Sequence, residues 1–354
     1  MRVSSSKHLP ARLISLATAV PSYKFDKETS GQRWNALFPD NSTMISALLA
    51  GISRNSGVST QYSANPVAWF TSSHGYADCN RSFEASSVDL LTDAAQRCLD
   101  KAQIAPGDID AVLVVSNWGL STGIDVRVIA SLGLRRDVKR LPVFGLGCAG
   151  GTLGLARAAD FARSHPGSLV LLLTVELPTA MVRHNDVSKC NLVSAALCGD
   201  GAAAVLVSCE HGGIQINAAS EYTWPDELQL MGMSIKEDGP RLLMPDKLPS
   251  FLKSEIRLRA ESFLASNGIE LDQISRLAFH PGGKGVLELY REIFGLDDGV
   301  LEEEREVLAD YGNMSGATIF FVLDKLITRR VKGPVLLTAL GPGLTLGFTL
   351  IDIR

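Results

Sequence analysis

Cys148 lies in the stretch of the sequence that is best suited to covalent chemistry. An apolar run at 141–146 predicts a short buried strand before it, and a Gly- and Ala-rich pattern predicts a helix from about 149 to 163 after it. The unpaired N–H groups and the positive dipole end of a helix start favour a thiolate over a thiol. Because small residues flank Cys148, other backbone can approach it closely. We interpret Cys148 as a candidate nucleophile, the alternative being a small core residue.

Two downstream residues are candidate partners for this thiolate. His280 follows an apolar strand predicted at 275–279 and precedes Pro-Gly-Gly, and the carboxyl ends of strands are where α/β proteins place ligand sites. Asn313 stands among small residues at a predicted helix start, where its side-chain amide could donate hydrogen bonds. The alternatives are a histidine that ends a core strand and an ordinary N-cap asparagine. The remaining histidines lie in polar or turn-like surroundings.

An internal similarity of the sequence relates Cys148 to Asn313. Each residue opens a helix rich in small residues, which leads through a break containing Gly and Pro into an apolar strand. We interpret the two stretches as one supersecondary unit used twice, so that both residues occupy equivalent helix starts that face a shared centre. We therefore predict two intimately packed halves rather than separable domains. Residues 1–213 would carry the nucleophilic cysteine, and residues 214–354 would carry the histidine and the asparagine.

The elements that must position these residues are predicted to be alternating strands and helices. Strands that are apolar on both faces and alternate with helices indicate an α/β fold with buried sheets. The stretch 69–83 is typical of a loop before a helix at 85–102, and the glutamates at 302–304 are typical of a solvated helix face. Strands are predicted near 9–20, 109–115, 168–175, 202–207, 214–220 and 334–339.

Composition argues against several functional classes. The 354 residues are 46% apolar and 20% charged with a net charge of −4, so there is no basic footprint for nucleic acid. Six cysteines without short regular spacing indicate reduced thiols and a cytoplasmic setting. The N-terminus suits an opening strand better than a signal peptide, and no apolar run is long enough to span a bilayer. The His and Cys residues at 184–211 lack zinc-site spacing, so we expect no metal.

Five motifs together resemble one known family. They are Phe144–Gly151 around the cysteine, Gly199–Ala204, His280–Gly283, Tyr311–Ser315 and Gly341–Thr345. In this order they resemble the type III polyketide synthases, the chalcone-synthase-like branch of the thiolase superfamily, and they cover nearly the whole chain. The resemblance implies a cytoplasmic homodimer of five-layered αβαβα subunits. It also implies acyl-CoA and malonyl-CoA as substrates, without a bound cofactor.

A Cys–His–Asn triad is a further implication of the resemblance. Cys148 would take an acyl group from a starter acyl-CoA, and His280 would hold its thiolate as an ion pair. His280 and Asn313 would bind the thioester carbonyl of malonyl-CoA and stabilise the enolate formed on decarboxylation. The enolate would attack the Cys148 thioester in a Claisen condensation. The finished chain would leave as a cyclised pyrone, resorcinol or related product.

The resemblance also places the substrate pocket. Cys198 stands where many relatives carry a gatekeeper Phe, Leu242 falls at a second gatekeeper position, and Met181 replaces a common Thr. These replacements predict a wider pocket with more flexible walls and an aliphatic starter acyl group. Other residues that the resemblance assigns to substrate binding are Ser121, Ser315, Gly341, Pro342 and Gly343. At the CoA mouth, where relatives often carry an Arg pair, this chain has Ser-Thr-Gln at 59–61. The residues assigned to CoA binding are Arg54, Gly282, Gly283 and Gly285.

Three alternatives compete with this interpretation. A papain-like protease also uses Cys, His and Asn, but its cysteine lies near the mature N-terminus in a context absent here. A ketoacyl-carrier-protein synthase of the initiating type shares the triad, but its histidine typically lies in His-Gln-Ala-Asn, whereas His280 precedes Pro-Gly-Gly. A non-condensing acyl-binding scaffold of a polyketide cluster would keep the fold without the chemistry. The intact triad argues against that scaffold.

Overall fold

The chain folds into alternating strands and helices, as the sequence predicts. The computed structural model describes residues 9–39, 43–117, 123–236, 239–243 and 248–354, and these form thirteen β-strands and ten α-helices. The strands are β1 (Arg12–Ala19), β2 (Tyr23–Phe25), β3 (Gln61–Ser63), β4 (Ala111–Ser116), β5 (Lys139–Phe144), β6 (Val170–Glu176), β7 (Gly201–Ser208), β8 (Ile214–Thr223), β9 (Gly232–Lys236), β10 (Gly239–Leu243), β11 (Arg276–Phe279), β12 (Gly333–Gly341) and β13 (Thr345–Ile353). The helices are α1 (Lys27–Leu37), α2 (Thr43–Ser56), α3 (Tyr76–Ala102), α4 (Ile124–Leu132), α5 (Gly150–Ser164), α6 (Lys189–Leu197), α7 (Leu248–Ser266), α8 (Lys284–Phe294), α9 (Glu302–Tyr311) and α10 (Thr318–Thr328).

Nine strands pair into one mixed sheet, in the order β11-β12-β13-β8-β1-β7-β6-β4-β5. The sheet consists of two groups, because β1 and β8 join through only two residue pairs, Arg12 with Gln215 and Leu13 with Ile214. Within the groups, β4 lies parallel to both β5 and β6, and β11 lies parallel to β12. One group is therefore β5-β4-β6-β7-β1, and the other is β8-β13-β12-β11.

The two groups of strands enclose a central helical layer. Helix α5 contacts β4, β6 and β7 of one group and β8 and β13 of the other, and α10 contacts β1, β7 and β11. On the outer side of the first group lie α3 and α4, and on the outer side of the second lie α7 and α8. The resulting order of layers is the five-layered αβαβα arrangement that the resemblance implies.

Side-chain alternation along β4 explains why its sequence is continuously apolar. Leu113 and Val115 belong to the core cluster around α5 and α10, whereas Val112 and Val114 belong to the cluster under α3. Successive side chains of a strand point to opposite faces, so a strand between two helical layers needs apolar residues at every position. The predicted strands at 109–115 and 168–175 are confirmed as the fully buried β4 and β6.

The strand before Cys148 forms, but the prediction that it is buried is wrong. β5 pairs only with β4 and lies at the end of the sheet order. Its residues are exposed or half-buried, and Phe144 is 55% exposed. An edge strand has one neighbour and one open side, so an apolar sequence does not ensure burial within a single chain.

Two further predictions need correction. Helix α3 begins at Tyr76 rather than near 85, and Cys79 and Phe83, one turn apart, lie on its buried face. The acidic run 302–304 is not a solvated face, because Glu303 is 8% exposed and Glu304 is 0% exposed. Arg276 on β11 forms ion pairs with both carboxylates, so their charges are compensated inside the protein.

Two general features complete the fold. All six cysteines have free thiols, and the reduced setting inferred from their spacing stays a prediction. None of the helices in the described ranges is long and apolar enough to cross a membrane. The division of the chain into halves at 213–214 stays a prediction, although β8, the first strand of the second group, begins at Ile214.

Candidate active site

Cys148 lies in a tight turn that requires glycine. Residues Gly147–Ala149 form a short 3-10 turn after β5, and α5 follows at once. Gly147 has a φ of +50°, and a Cβ atom there would lie 2.2 Å from Cδ of Pro342. Pro342 therefore closes the turn from outside. Any side chain at 147 would have to displace it and would move the nucleophile.

The turn that carries Asn313 packs backbone to backbone against the Cys148 turn. A Cβ atom on Gly151 would lie 2.2 Å from the carbonyl oxygen of Gly316, so both helix starts need small residues. The side chains of Ser315 and Asn313 hydrogen-bond the thiol of Cys148. The structure thus brings together the two residues that the internal similarity relates.

His280 stands at the end of β11, where the chain turns into Pro281–Gly283. Its backbone N–H donates to the carbonyl oxygen of Thr338, and Nδ2 of Asn313 donates to the carbonyl oxygen of Gly282 at 3.3 Å. The histidine loop and the asparagine turn are therefore tied directly to each other. His280 is 4% exposed, and neither of its ring nitrogens has a hydrogen-bond partner among the described residues.

Burial opposes a charge on each member of the expected ion pair. Desolvation raises the pKa of Cys148 to about 12, although hydrogen bonds from Ser315 and Asn313 oppose the rise. Desolvation also lowers the pKa of His280 to about 4. For each group taken alone, burial opposes the charge that the helix start would favour, and the ion pair of Cys148 with His280 that the resemblance implies stays a prediction.

Cys148 faces a cavity of about 100 Å³. Cys148 keeps some accessible surface because it borders this cavity. Protein atoms still surround it on every side, so the thiol is desolvated. Several of the residues that the resemblance assigns to the pocket are brought together here. Those that line the cavity are Met181, Cys198, Asn313, Ser315 and Pro342.

Two of the predicted pocket residues support the cavity from behind. A Cβ atom on Gly341 would lie 2.1 Å from the carbonyl oxygen of Leu146, so Gly341 packs against the nucleophile turn. Gly343 donates its backbone N–H to the carbonyl oxygen of Met231. Both glycines contact the backbone of residues next to the cavity, and neither is among the residues that line it.

The two remaining predicted pocket positions lie outside the described side chains. Leu242 belongs to β10, where its backbone is opposite Met233 of β9, but its side chain is not among those described. Ser121 falls in 118–122, outside the described residues. Both assignments stay predictions.

Glu176 and Asn117 also line the cavity, and sequence reasoning missed both. Glu176 ends β6 and Asn117 directly follows β4, so each lies at the carboxyl end of a strand, the signal that singled out His280. The same signal could therefore have found them. Nδ2 of Asn117 donates to Oε1 of Glu176 at 2.7 Å. Further lining residues are Pro178, Ser194, Met231, Gly232 and Met233.

A buried polar network supports the Cys198 wall of the cavity. Asp200, in the Gly-Asp-Gly motif, is 0% exposed and accepts hydrogen bonds from the N–H and hydroxyl groups of Thr179. Desolvation raises the pKa of Asp200 to about 6. Gln61 donates from Nε2 to the carbonyl oxygen of Cys198 at 2.7 Å, and the Cys198 backbone bridges to Asn313. The motif therefore anchors the wall of the cavity and the asparagine turn.

Arg54 lines a second cavity of about 610 Å³ between α1, α2 and α6. Lys27 also lines it and supplies a cation that sequence reasoning did not single out. The wall extends to Ala196, and the next residue, Leu197, packs against Gly283. Arg54 and Gly283, both assigned to CoA, therefore lie at the same side of the molecule.

The other two glycines assigned to CoA differ in their surroundings. A Cβ atom on Gly282 would lie 3.8 Å from Cδ2 of His280, so this glycine borders the histidine ring. Gly285, in the first turn of α8, has no protein atom within 4 Å of the position of a Cβ atom. Neither residue is among those that line the Arg54 cavity.

Comparison with known protein families agrees with this geometry. The model of the N-terminal domain of chalcone and stilbene synthases matches residues 76–211, and the model of their C-terminal domain matches residues 215–352. The chain belongs to the chalcone and stilbene synthase family. It is a type III polyketide synthase, an acyltransferase-type condensing enzyme of a family that uses acyl-CoA and malonyl-CoA.

Individual relatives of this type III polyketide synthase cover most of its length. It is 33% identical to the 1,3,6,8-tetrahydroxynaphthalene synthase of Streptomyces peucetius subsp. caesius, over 86% of this chain and 83% of that protein. It is 28% identical to a putative chalcone synthase of Bacillus subtilis, over 94% of this chain and 96% of that protein. Among solved structures, polyketide synthase PKS-I of the brown alga Ectocarpus siliculosus shares the fold, with a TM-score of 0.90 at 23% identity, over 99% and 100% of the two chains.

These findings separate the alternatives raised by the sequence. Both matched models describe chalcone and stilbene synthases, and nothing in the comparisons supports a ketoacyl-carrier-protein synthase. The named relatives are synthases, so a non-condensing scaffold has no support from them either.

Proposed function

We propose that this type III polyketide synthase acylates Cys148 and extends the acyl group with malonyl-CoA units. Burial, which opposes a charge on Cys148 and on His280, supports acylation by proton transfer during attack. As the sulfur bonds to the acyl carbonyl carbon, His280 takes the thiol proton, and CoA leaves with a proton from the imidazolium. This route avoids a buried thiolate in the resting enzyme, which the raised pKa of Cys148 opposes.

His280 and Asn313 are proposed to bind the thioester carbonyl of malonyl-CoA. The two unpartnered ring nitrogens of His280 and the adjacent Asn313 amide support this role, since neutral N–H donors suit an oxyanion in a dry site. Cleavage of the carbon–carbon bond to the carboxylate releases CO₂ and leaves its electron pair as an enolate, whose oxygen these donors stabilise.

The contact between the Cys148 thiol and Asn313 supports a condensation step at this site. The enolate carbon bonds to the carbonyl carbon of the acyl-Cys148 thioester, and the carbon–sulfur bond breaks. The released thiolate takes a proton from solvent, because His280 gave its proton to CoA during acylation, and the lengthened chain leaves on CoA. We propose that the backbone N–H of Cys148 donates a hydrogen bond to the oxygen of the tetrahedral intermediate.

The cavity beside α1 and α2 is the proposed entrance for CoA. Arg54 and Lys27 supply two positive charges for the phosphates of CoA where the sequence lacks an Arg pair at 59–61. Gly283 at the start of α8 leaves room beside Leu197 for the pantetheine arm.

An aliphatic starter suits the described walls of the acyl cavity. Met181, Met231 and Met233 line it, and none of its described lining residues is aromatic. Methionine side chains are flexible and adapt to irregular apolar groups. Because the resting cavity holds only about 100 Å³, these side chains turn aside as an acyl chain enters.

We further propose that the enzyme works as a homodimer in the cytoplasm. The open edge of β5 and its exposed Phe144 support a contact with a second copy. The six free thiols support a reducing compartment.

The observation that carries the proposal is the joint position of Cys148, Ser315 and Asn313 around one thiol, with His280 on the adjoining loop. Intact-protein mass spectrometry after brief incubation with acyl-CoAs of increasing chain length tests it. We expect one acyl adduct that is absent in Cys148→Ala, and pyrone or resorcinol products once malonyl-CoA is added. An adduct formed only from carrier-bound acyl groups would redirect the assignment to a carrier-dependent enzyme, and no adduct from any donor would refute it.

A further inference from the structure

Glu176 is a buried acid beside the nucleophile for which the proposed reaction has no step. It is 3% exposed and borders the same cavity as Cys148. Burial raises the pKa of Glu176 well above its ordinary value, and hydrogen bonds from Asn117 oppose the rise. Burying an acid without a compensating interaction is costly, so its partners indicate what it does.

A chain of hydrogen bonds leads from Glu176 to the nucleophile turn. Nδ2 of Asn117 donates to Oε1 of Glu176 at 2.7 Å, and Oδ1 of Asn117 accepts the backbone N–H of Gly147 at 2.9 Å. Gly147 directly precedes Cys148. The hydrogen bond to Glu176 also orients the amide of Asn117, because it places Nδ2 toward the acid and Oδ1 toward Gly147.

We propose that Glu176 is a positioning residue, which acts through Asn117 to hold the Gly147 turn and thereby aims the Cys148 sulfur at the acyl donor. Pro342 closes the opposite side of the same turn, so the nucleophile is held between two supports. This inference rests on the proposed function in one respect, because the acyl donor is a CoA thioester.

The charge on Glu176 also affects the nucleophile. A charge on Glu176 raises the pKa of Cys148, so an ionised Glu176 would oppose attack by the sulfur. Among the described lining residues, the other titratable group is Cys198, and no lysine or arginine borders the cavity. Tyr290 of α8 also interacts electrostatically with Cys148. None of these groups supplies a positive charge that would draw the proton from Glu176.

The test compares four variants by two rates: acyl transfer from hexanoyl-CoA and alkylation of Cys148 by iodoacetamide, both followed by intact mass. Asn117→Ala, Glu176→Ala and the double variant should all acylate on the order of tenfold more slowly than wild type, to the same extent, because they break one chain. Glu176→Gln keeps an acceptor for Asn117 and should acylate like wild type at pH 7. Alkylation of Cys148 should be slower in Asn117→Ala than in wild type, because the Gly147 turn is no longer held.

The matched control is Asn80→Ala, which removes the Asn80–Glu84 hydrogen bond of α3 and should leave both rates unchanged. Wild-type rates in Asn117→Ala, additive losses in the double variant, or acylation of Glu176→Gln as slow as that of Glu176→Ala would each overturn the proposal. If Glu176→Ala does not fold, Asn117→Ala and Glu176→Gln decide. If wild type takes no acyl group from hexanoyl-CoA but Asn117→Ala still slows alkylation, the CoA assignment fails and the positioning role stands.

Discussion

Glu304 accepts a hydrogen bond from the backbone N–H of Phe279 at 3.1 Å, one residue before His280. β11 is an edge strand among the described strands, and this N–H points away from β12, its one neighbour there. The carboxylate of Glu304 therefore satisfies a strand edge that has no partner strand, and Arg276 compensates its charge. Through this contact, helix α9 holds the strand end that presents the histidine.

Removing that carboxylate should destabilise the protein strongly. Glu304→Ala leaves the largely buried Arg276 without its fully buried partner, so we expect a loss of about 3 kcal/mol in the free energy of unfolding by urea. The control is Glu302→Gln, whose side chain is 66% exposed, with a change below about 0.5 kcal/mol. Equal effects of the two variants would contradict the role of Glu304.

Variants of Cys148 and Asn313 should separate condensation from the decarboxylation of malonyl-CoA. Cys148→Ala cannot carry an acyl group, so condensation should stop while slow release of CO₂ from malonyl-CoA continues. Asn313→Ala should lose both condensation and release of CO₂, because the amide that donates a hydrogen bond to the enolate oxygen is missing. Product and CO₂ assays measure this, with the exposed Asn267→Ala as the control. Condensation by Cys148→Ala at the wild-type rate would refute the assignment of the nucleophile.

His280 should contribute to a loss of stability in mild acid. Its pKa is about 4 in the folded protein and about 6.5 in the unfolded chain, so the unfolded state takes up the proton first as pH falls. The stability contributed by the neutral imidazole is complete above pH 6.5 and falls by up to about 3 kcal/mol down to pH 4. Urea unfolding of wild type and His280→Gln across this range measures the difference. Parallel pH dependences would show that His280 is not buried as neutral imidazole.

Gly147→Ala should impair both stability and acylation. The left-handed backbone and the contact with Pro342 leave no room for a methyl group, so unfolding should become easier by at least about 1 kcal/mol. Acylation of Cys148 should slow on the order of a hundredfold, because the sulfur is displaced. Gly51→Ala in α2, with open space around its Cβ position, is the control and should not lower stability. Normal acylation of Gly147→Ala would show that the turn tolerates displacement.

Phe144→Asp should shift the proposed dimer toward monomer. The ring is 55% exposed on the open edge strand, and a charge there would be desolvated against a second copy. Leu258→Asp, at a residue 53% exposed on α7, is the matched control. Light scattering after size exclusion measures the mass of each. A dimer that survives Phe144→Asp unchanged would place the interface elsewhere.

Much of the architecture follows from local sequence. The apolar runs of β4 and β6 show burial on both faces, because a strand between two helical layers needs apolar residues at every position. The small residues around Cys148 and Asn313 indicate close backbone approach, and Gly151 and Gly316 confirm it by direct contact. These signals lie in the chain itself, because residue size and side-chain periodicity are local properties.

Other properties depend on which elements become neighbours, and the sequence alone did not determine them. The position of β5 at the sheet edge, and not its apolar composition, decides that Phe144 is exposed. The acidic sequence at 302–304 is typical of a solvated helix face, yet Glu304 is buried. Its charge is compensated by Arg276, which lies on a strand distant in sequence. The sequence by itself determined the fold class and brought Cys148, His280 and Asn313 forward as candidates. Only the tertiary structure decided that burial opposes a charge on the thiol and on the imidazole, because desolvation depends on what surrounds a group in space.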